Sequence, residues 1–125
     1  MNLITVLKSK IHRITVTHAD KEYEGSCAID ADILNMANIR EYEQIHIYNV
    51  SNGERFVTYA MKAEAGSKIV SVNGAAAWKA SPNDVVIICT YTSVHESDPH
   101  KPIMVYCTVN NFVTHISRDI PVQLT

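Results

Sequence analysis

Apolar and polar residues alternate with period two over Ile11–Thr17, Gln44–Val50, Arg55–Ala60 and Val85–Val94, and these runs are rich in Val, Ile, Thr and Tyr. Alternation sends successive side chains to opposite faces, so each run predicts a strand with one face in a core and the other toward solvent. Ser51-Asn52-Gly53 lies between the second and third runs. Asn-Gly favours the positive φ angles of a tight turn, which predicts an antiparallel hairpin there. The period changes after Asp30, where an N-cap residue is followed by Ile33, Leu34 and Ala37 on one helical face and by Asn38 as a stop. Ser81-Pro82-Asn83-Asp84 reads as a break, and Glu96 to Pro102 as an exposed loop. There is no internal repeat, linker or low-complexity tract. Many short strands with one or two helical turns predict a mainly β fold, a compact barrel whose closure removes aggregating sheet edges.

A chain of 125 residues builds one core and not two, so residues 1–125 are expected to form a single domain. Its hydrophobic share of 46% against 19% charged is globular, and no apolar run is long enough for a membrane helix, so no membrane partner is expected. The formal charge of −2 comes from intermixed residues without a basic cluster, which argues against nucleic acid as a partner. The stretch Met1 to Lys8 has no basic region ahead of its few apolar residues, so export is not expected. Cys27, Cys89 and Cys107 are odd in number and not spaced as CxxC, which suits a reducing cytoplasm.

Chemistry concentrates at Glu24-Gly25-Ser26-Cys27. The Ser26 hydroxyl lies one residue from the Gly25 carbonyl, and glycine tolerates strained backbone angles that leave its carbonyl open to attack. An N-to-O acyl shift there would pass through an oxyanion needing a fixed donor. The resulting ester could eliminate to dehydroalanine, and hydrolysis would leave a pyruvoyl group. Taken alone, Gly-Ser is better read as an ordinary turn. A Ser26, His18, Asp20 hydrolase lacks any nucleophile-elbow context. His95, Asp98 and His100 have no matching ligand pair elsewhere, so no metal is expected.

The neighbouring residues decide between these readings. Thr17-His18-Ala19-Asp20 followed by Tyr23 to Asp30 resembles the processing region of the aspartate 1-decarboxylases, pyruvoyl-dependent enzymes of pantothenate synthesis. Three further blocks match in order: Lys10-Ile11-His12-Arg13, Asn49 to Ala60, and Ser71 to Ala77. The resemblance runs from about Val6 to Ile88, and the chain departs from the pattern beyond Val94. It implies a double-psi β-barrel with short helices, and a cytoplasmic homotetramer with active sites between subunits. It also implies a zymogen that cleaves itself at Gly25-Ser26 into a β chain of residues 1–25 and an α chain of residues 26–125. A helper protein for maturation is an open question, since some members need one.

The activity implied is decarboxylation of L-aspartate to β-alanine through a Schiff base on the pyruvoyl group from Ser26. In this resemblance Arg55 and Lys10 hold substrate carboxylate, Tyr59 gives the proton, and Thr58 stabilises the oxyanion of self-cleavage. Asn73, Gly74, Ala75 and Ala76 line the site, with His12 and Tyr23 in support. Position 48 is Tyr where some members carry Trp, which keeps an aromatic wall. A reading of a different class stands beside this one, an uncleaved and catalytically silent β-barrel that binds a partner.

Overall fold

A computed structural model describes residues 2–125; Met1, at the head of the stretch read for a leader, lies outside them. In chain order the elements are β1 (Leu3–Thr15), β2 (His18–Asp20), β3 (Ala28–Asp30), α1 (Ala31–Met36), β4 (Gln44–Asn49), β5 (Arg55–Tyr59), β6 (Met61–Ala63) and β7 (Val70–Asn73). A 3-10 turn (Gly74–Trp78), β8 (Val85–His95), β9 (Ile103–Cys107) and β10 (Val113–Ser117) complete it. Six strands pair in the order β10-β9-β1-β8-β4-β5, and four in the order β2-β7-β3-β6. The mainly β architecture expected from the alternation is present and compatible with a β-barrel, with backbone pairing divided between two sheets rather than joined in one ring.

Both sheets feed the same core. Ile11, Ile14, Ile45, Ile47, Val86 and Ile88 from the larger sheet, and Ile29, Val70 and Val72 from the smaller, are fully buried and belong to one cluster. Strand β1 runs through the middle of the larger sheet, antiparallel to β8 and parallel to β9. Its register with β8 shifts between Ile11 and Ile14, where Arg13 adopts φ +61°. A bulge of this kind bends a strand around a core.

The hairpin between β4 and β5 is antiparallel, with Tyr48 opposite Arg55. Its loop is longer than a two-residue turn: Asn49 N–H donates to Glu54 O at 2.8 Å, and of Asn52-Gly53 only Gly53, at φ +80°, is left-handed. Helix α1 starts where the cap predicts, its Asp30 carboxylate accepting from Asp32 N–H at 2.8 Å. Ile33 and Leu34 are buried, and Asn38 at φ +56° turns the chain out of the helix. Among the described residues no helix is long and apolar enough to cross a membrane.

Candidate active site

Gly25 and Ser26 lie in the connection between β2 and β3, held from both sides by short strands of the smaller sheet. Downstream, Cys27 is fully buried and its carbonyl accepts from Met61 N–H at 3.0 Å. Ser26 is flanked by two left-handed residues, Gly25 at φ +91° and Cys27 at φ +36°. A Cβ on Gly25 would find ordinary van der Waals room, 3.6 Å from Met61 Cγ, so the backbone angle and not crowding is what requires glycine. Cysteine in that region stores strain beside the Gly25-Ser26 bond.

Two side chains reach this segment from distant elements. Along β5 the alternation turns Phe56 and Thr58 inward and Arg55, Val57 and Tyr59 outward. The inward Thr58 hydroxyl donates to Ser26 Oγ. From the end of β7, Asn73 is 1% exposed and donates from Nδ2 to the Gly25 carbonyl at 2.9 Å. Its Oδ1 accepts from the Ser71 hydroxyl at 2.7 Å, which sets the orientation of the amide. The resemblance puts Thr58 at the oxyanion. The structure has Thr58 on Ser26 Oγ instead, and Asn73 is the donor on the Gly25 carbonyl.

Gly74, at φ +64°, opens the 3-10 turn that carries Ala75 and Ala76 along a cleft of about 600 Å³. Tyr23, Gly25, Ser26, Phe56, Thr58 and Tyr59 line the same cleft. Small residues on one wall leave room for a ligand, and Tyr23, Phe56 and Tyr59 line the others. Cys27 adds no second nucleophile, because full burial pushes its thiol up to about 12.

The remaining sequence candidates stand apart from this cleft. Arg55 stacks over the Tyr48 ring, its Cζ 3.9 Å from the centroid. Ladder partners share a sheet face, and Lys10 pairs with Cys89, Cys89 with His46, and His46 with Val57. Lys10 and Arg55 therefore lie on the outer face of the larger sheet, and neither lines the cleft that holds Ser26, although Val57 and Tyr59 reach it from the Arg55 face of β5. His12 faces Tyr106 edge-on at 5.4 Å, with a buried Nδ1 that has no partner. Burial first, then Lys10 and Arg13, holds His12 below the usual imidazole range. A single chain thus gathers Tyr23, Gly25, Ser26, Thr58, Tyr59, Asn73, Gly74, Ala75 and Ala76, and leaves Arg55, Lys10 and His12 outside.

The competing constellations are dispersed. His18 Nδ1 bonds the Thr17 hydroxyl and Asp20 accepts from Glu22 N–H, and both residues line a different cavity from Ser26. His95 bonds Ser97 while His100 bonds the Leu7 carbonyl, and among the described residues no group of three His, Cys, Asp or Glu is placed to hold a metal ion. Two features went unread in the sequence. The Asn73 contact spans 48 positions and has no local signal, and the Tyr48–Tyr91 hydroxyl pair at 2.7 Å follows only from knowing that β4 lies beside β8.

A family model described as aspartate decarboxylase matches residues 1–114, which carries the likeness well beyond Ile88. Aspartate 1-decarboxylase of Nitrosococcus oceani is 59% identical over 123 residues, 97% of this chain and 98% of the relative. The proteins of the same name from Hydrogenovibrio crunogenus and Pseudomonas aeruginosa are each 58% identical, over 97% and 95% of this chain and 95% and 96% of their own length.

Proposed function

Because this chain belongs to the aspartate decarboxylase family, we propose that it removes the α-carboxylate of L-aspartate at a pyruvoyl group made from its own Ser26. Membership makes it a decarboxylase, a carbon–carbon lyase. The product would be β-alanine, for pantothenate synthesis in the cytoplasm. The observation that carries the reading is the arrangement at Gly25-Ser26: a glycine at φ +91°, its carbonyl bound by the buried Asn73 amide, and the Ser26 hydroxyl bound by Thr58. These residues fit a group generated in place, because they serve attack of one on the other.

Thr58 orients Ser26 Oγ toward the Gly25 carbonyl carbon. As the C–O bond forms, Asn73 Nδ2 meets the charge that develops on the carbonyl oxygen, at a donor distance already in the hydrogen-bond range. The C–N bond then breaks, its nitrogen takes the serine proton, and an ester joins the two halves. Loss of the Cα proton of residue 26 expels the Gly25 carboxylate, and water replaces the nitrogen as ammonia. Residues 1–25 and 26–125 become separate chains. A pyruvoyl group at position 26 supplies an electron sink for the pair left behind when carbon dioxide departs.

The chain's own residues supply the rest. Arg55 offers a planar fork to the carboxylate that stays, and Lys10 adds a second cation. Tyr59, which lines the Ser26 cleft, would deliver a proton to the carbon that loses its carboxylate. Tyr23, Phe56, Ala75 and Ala76 would wall the space around the reacting carbon. Arg55 and Lys10 do not line the Ser26 cleft of their own chain, which supports assembly of each site between two copies, as in a homotetramer.

An intact-mass spectrum of the purified protein tests the proposal. Fragments of residues 1–25 and 26–125 are expected, the larger lighter by one ammonia than a serine-started chain. Ser26→Ala is expected to stay whole and inactive. A chain that stays whole even after incubation with a cell extract, or an active and uncut Ser26→Ala protein, overturns it.

A further inference from the structure

Arg55 is an exposed side chain at the end of a hairpin, and none of the ion pairs among the described residues involves it. A free arginine there would sample many rotamers and lose that freedom on binding a carboxylate. Its guanidinium is instead stacked on the ring of Tyr48, its partner across the β4–β5 ladder. A guanidinium held over a ring face still has its N–H donors to offer a planar anion, and no ion pair among the described residues occupies those of Arg55. The Tyr48 ring is itself fixed at its far end, where its hydroxyl meets that of Tyr91 at 2.7 Å. His46 closes the arrangement, its ring edge-on to Tyr91 at 4.9 Å and an interplanar angle of 80°. Through these contacts β8 holds a side chain that belongs to β5, two strands away.

We propose that Tyr91 is a positioning residue for the decarboxylation, acting through Tyr48 to hold the Arg55 guanidinium ready for the carboxylate that the substrate keeps. The proposal rests on the reading of Arg55 as the residue that binds that carboxylate. Tyrosine needs this help because its ring is anchored to the strand at one end only. Tryptophan at position 48 would offer a broader face that fills the same space without a hydroxyl, and so would not depend on Tyr91.

The test is steady-state kinetics with L-aspartate on the self-cleaved enzyme, each variant first checked for complete cutting. Tyr91→Phe removes one oxygen and is expected to raise KM about three- to ten-fold, the worth of one hydrogen bond, with a smaller change in kcat. Adding Tyr91→Phe to Tyr48→Trp is expected to change KM by less than about two-fold, the limit of additivity for independent sites. An unchanged KM in Tyr91→Phe overturns the proposal, and so does an equal rise whether or not Tyr48→Trp is present. Arg55→Lys separates the two layers of the argument. If it raises KM while Tyr91→Phe does not, the link through Tyr48 is wrong and the role of Arg55 stands; if it leaves KM unchanged, the role of Arg55 falls and the proposal with it.

Discussion

Asn73 is the side chain whose removal bears most directly on the proposed self-cleavage, because its amide is the donor already resting on the Gly25 carbonyl. Asn73→Ala is expected to slow cutting about 10²-fold or more, the usual worth of one oxyanion donor. A time course of intact mass reads this directly, and cutting at the native rate would remove Asn73 from the reaction. The same change leaves the Ser71 hydroxyl and the Gly25 carbonyl without a partner, at a cost of about 1–3 kcal/mol, which a thermal melt measures separately. Arg55→Ala has the opposite profile. Its side chain lies off the Ser26 cleft, so cutting is expected to proceed normally while KM for L-aspartate rises about 10²-fold, as for a charged pair that loses one member.

At the scale of elements, one carboxylate joins three segments. Asp30 ends β3, caps α1 through Asp32 N–H, and accepts from Gly66 N–H at 3.0 Å and Lys68 N–H at 2.8 Å in the loop before β7. Burial alone would raise its pKa, but the three backbone donors and the Lys68 charge outweigh it and hold the group below the usual carboxylate range. A depressed folded value means that the ionised group stabilises the fold above the unfolded value of about 3.9 and loses that contribution as pH falls through the folded one. Asp30→Asn is therefore expected to lose about 1–3 kcal/mol at pH 7. Its deficit against the native chain should narrow as denaturant melts move below about pH 4. This cap was legible in the sequence, as were β4, β5 and β8, because each rests on a local rule of spacing or capping. Strands β2, β3, β6 and β7 were not, since three or four residues are too few to display a period. Nor was the place of β1 between β8 and β9, which depends on partners seventy or more positions away. The site divides the same way. Ser26 and its neighbours carry a local signature, and β5 alternation separates Thr58 from Arg55, while the Asn73 contact and the Tyr48–Tyr91 pair come from long-range folding alone.

For the whole molecule, the two faces of β5 set a test of assembly. If each site takes Ser26 from one copy and Arg55 from another, mixing Ser26→Ala with Arg55→Ala subunits during refolding or coexpression is expected to restore part of the activity that neither has alone. Absence of recovery in demonstrably mixed oligomers would assign the site to one chain. Cutting at Gly25 should not release the first fragment. Its strand β1 is clamped between β8 and β9 and contributes the fully buried Ile11 and Ile14, so residues 1–25 are expected to co-elute with the remainder until denaturant is added. The Asn73 contact also sets a clock on protein synthesis. The donor that readies the Gly25 carbonyl is translated 48 residues after it and arrives only when β7 lies parallel against β2, with Asp20 beside Asn73. A nascent chain still short of Asn73 therefore lacks the donor on the Gly25 carbonyl, so rapid cutting is expected no earlier than the docking of β7 on β2.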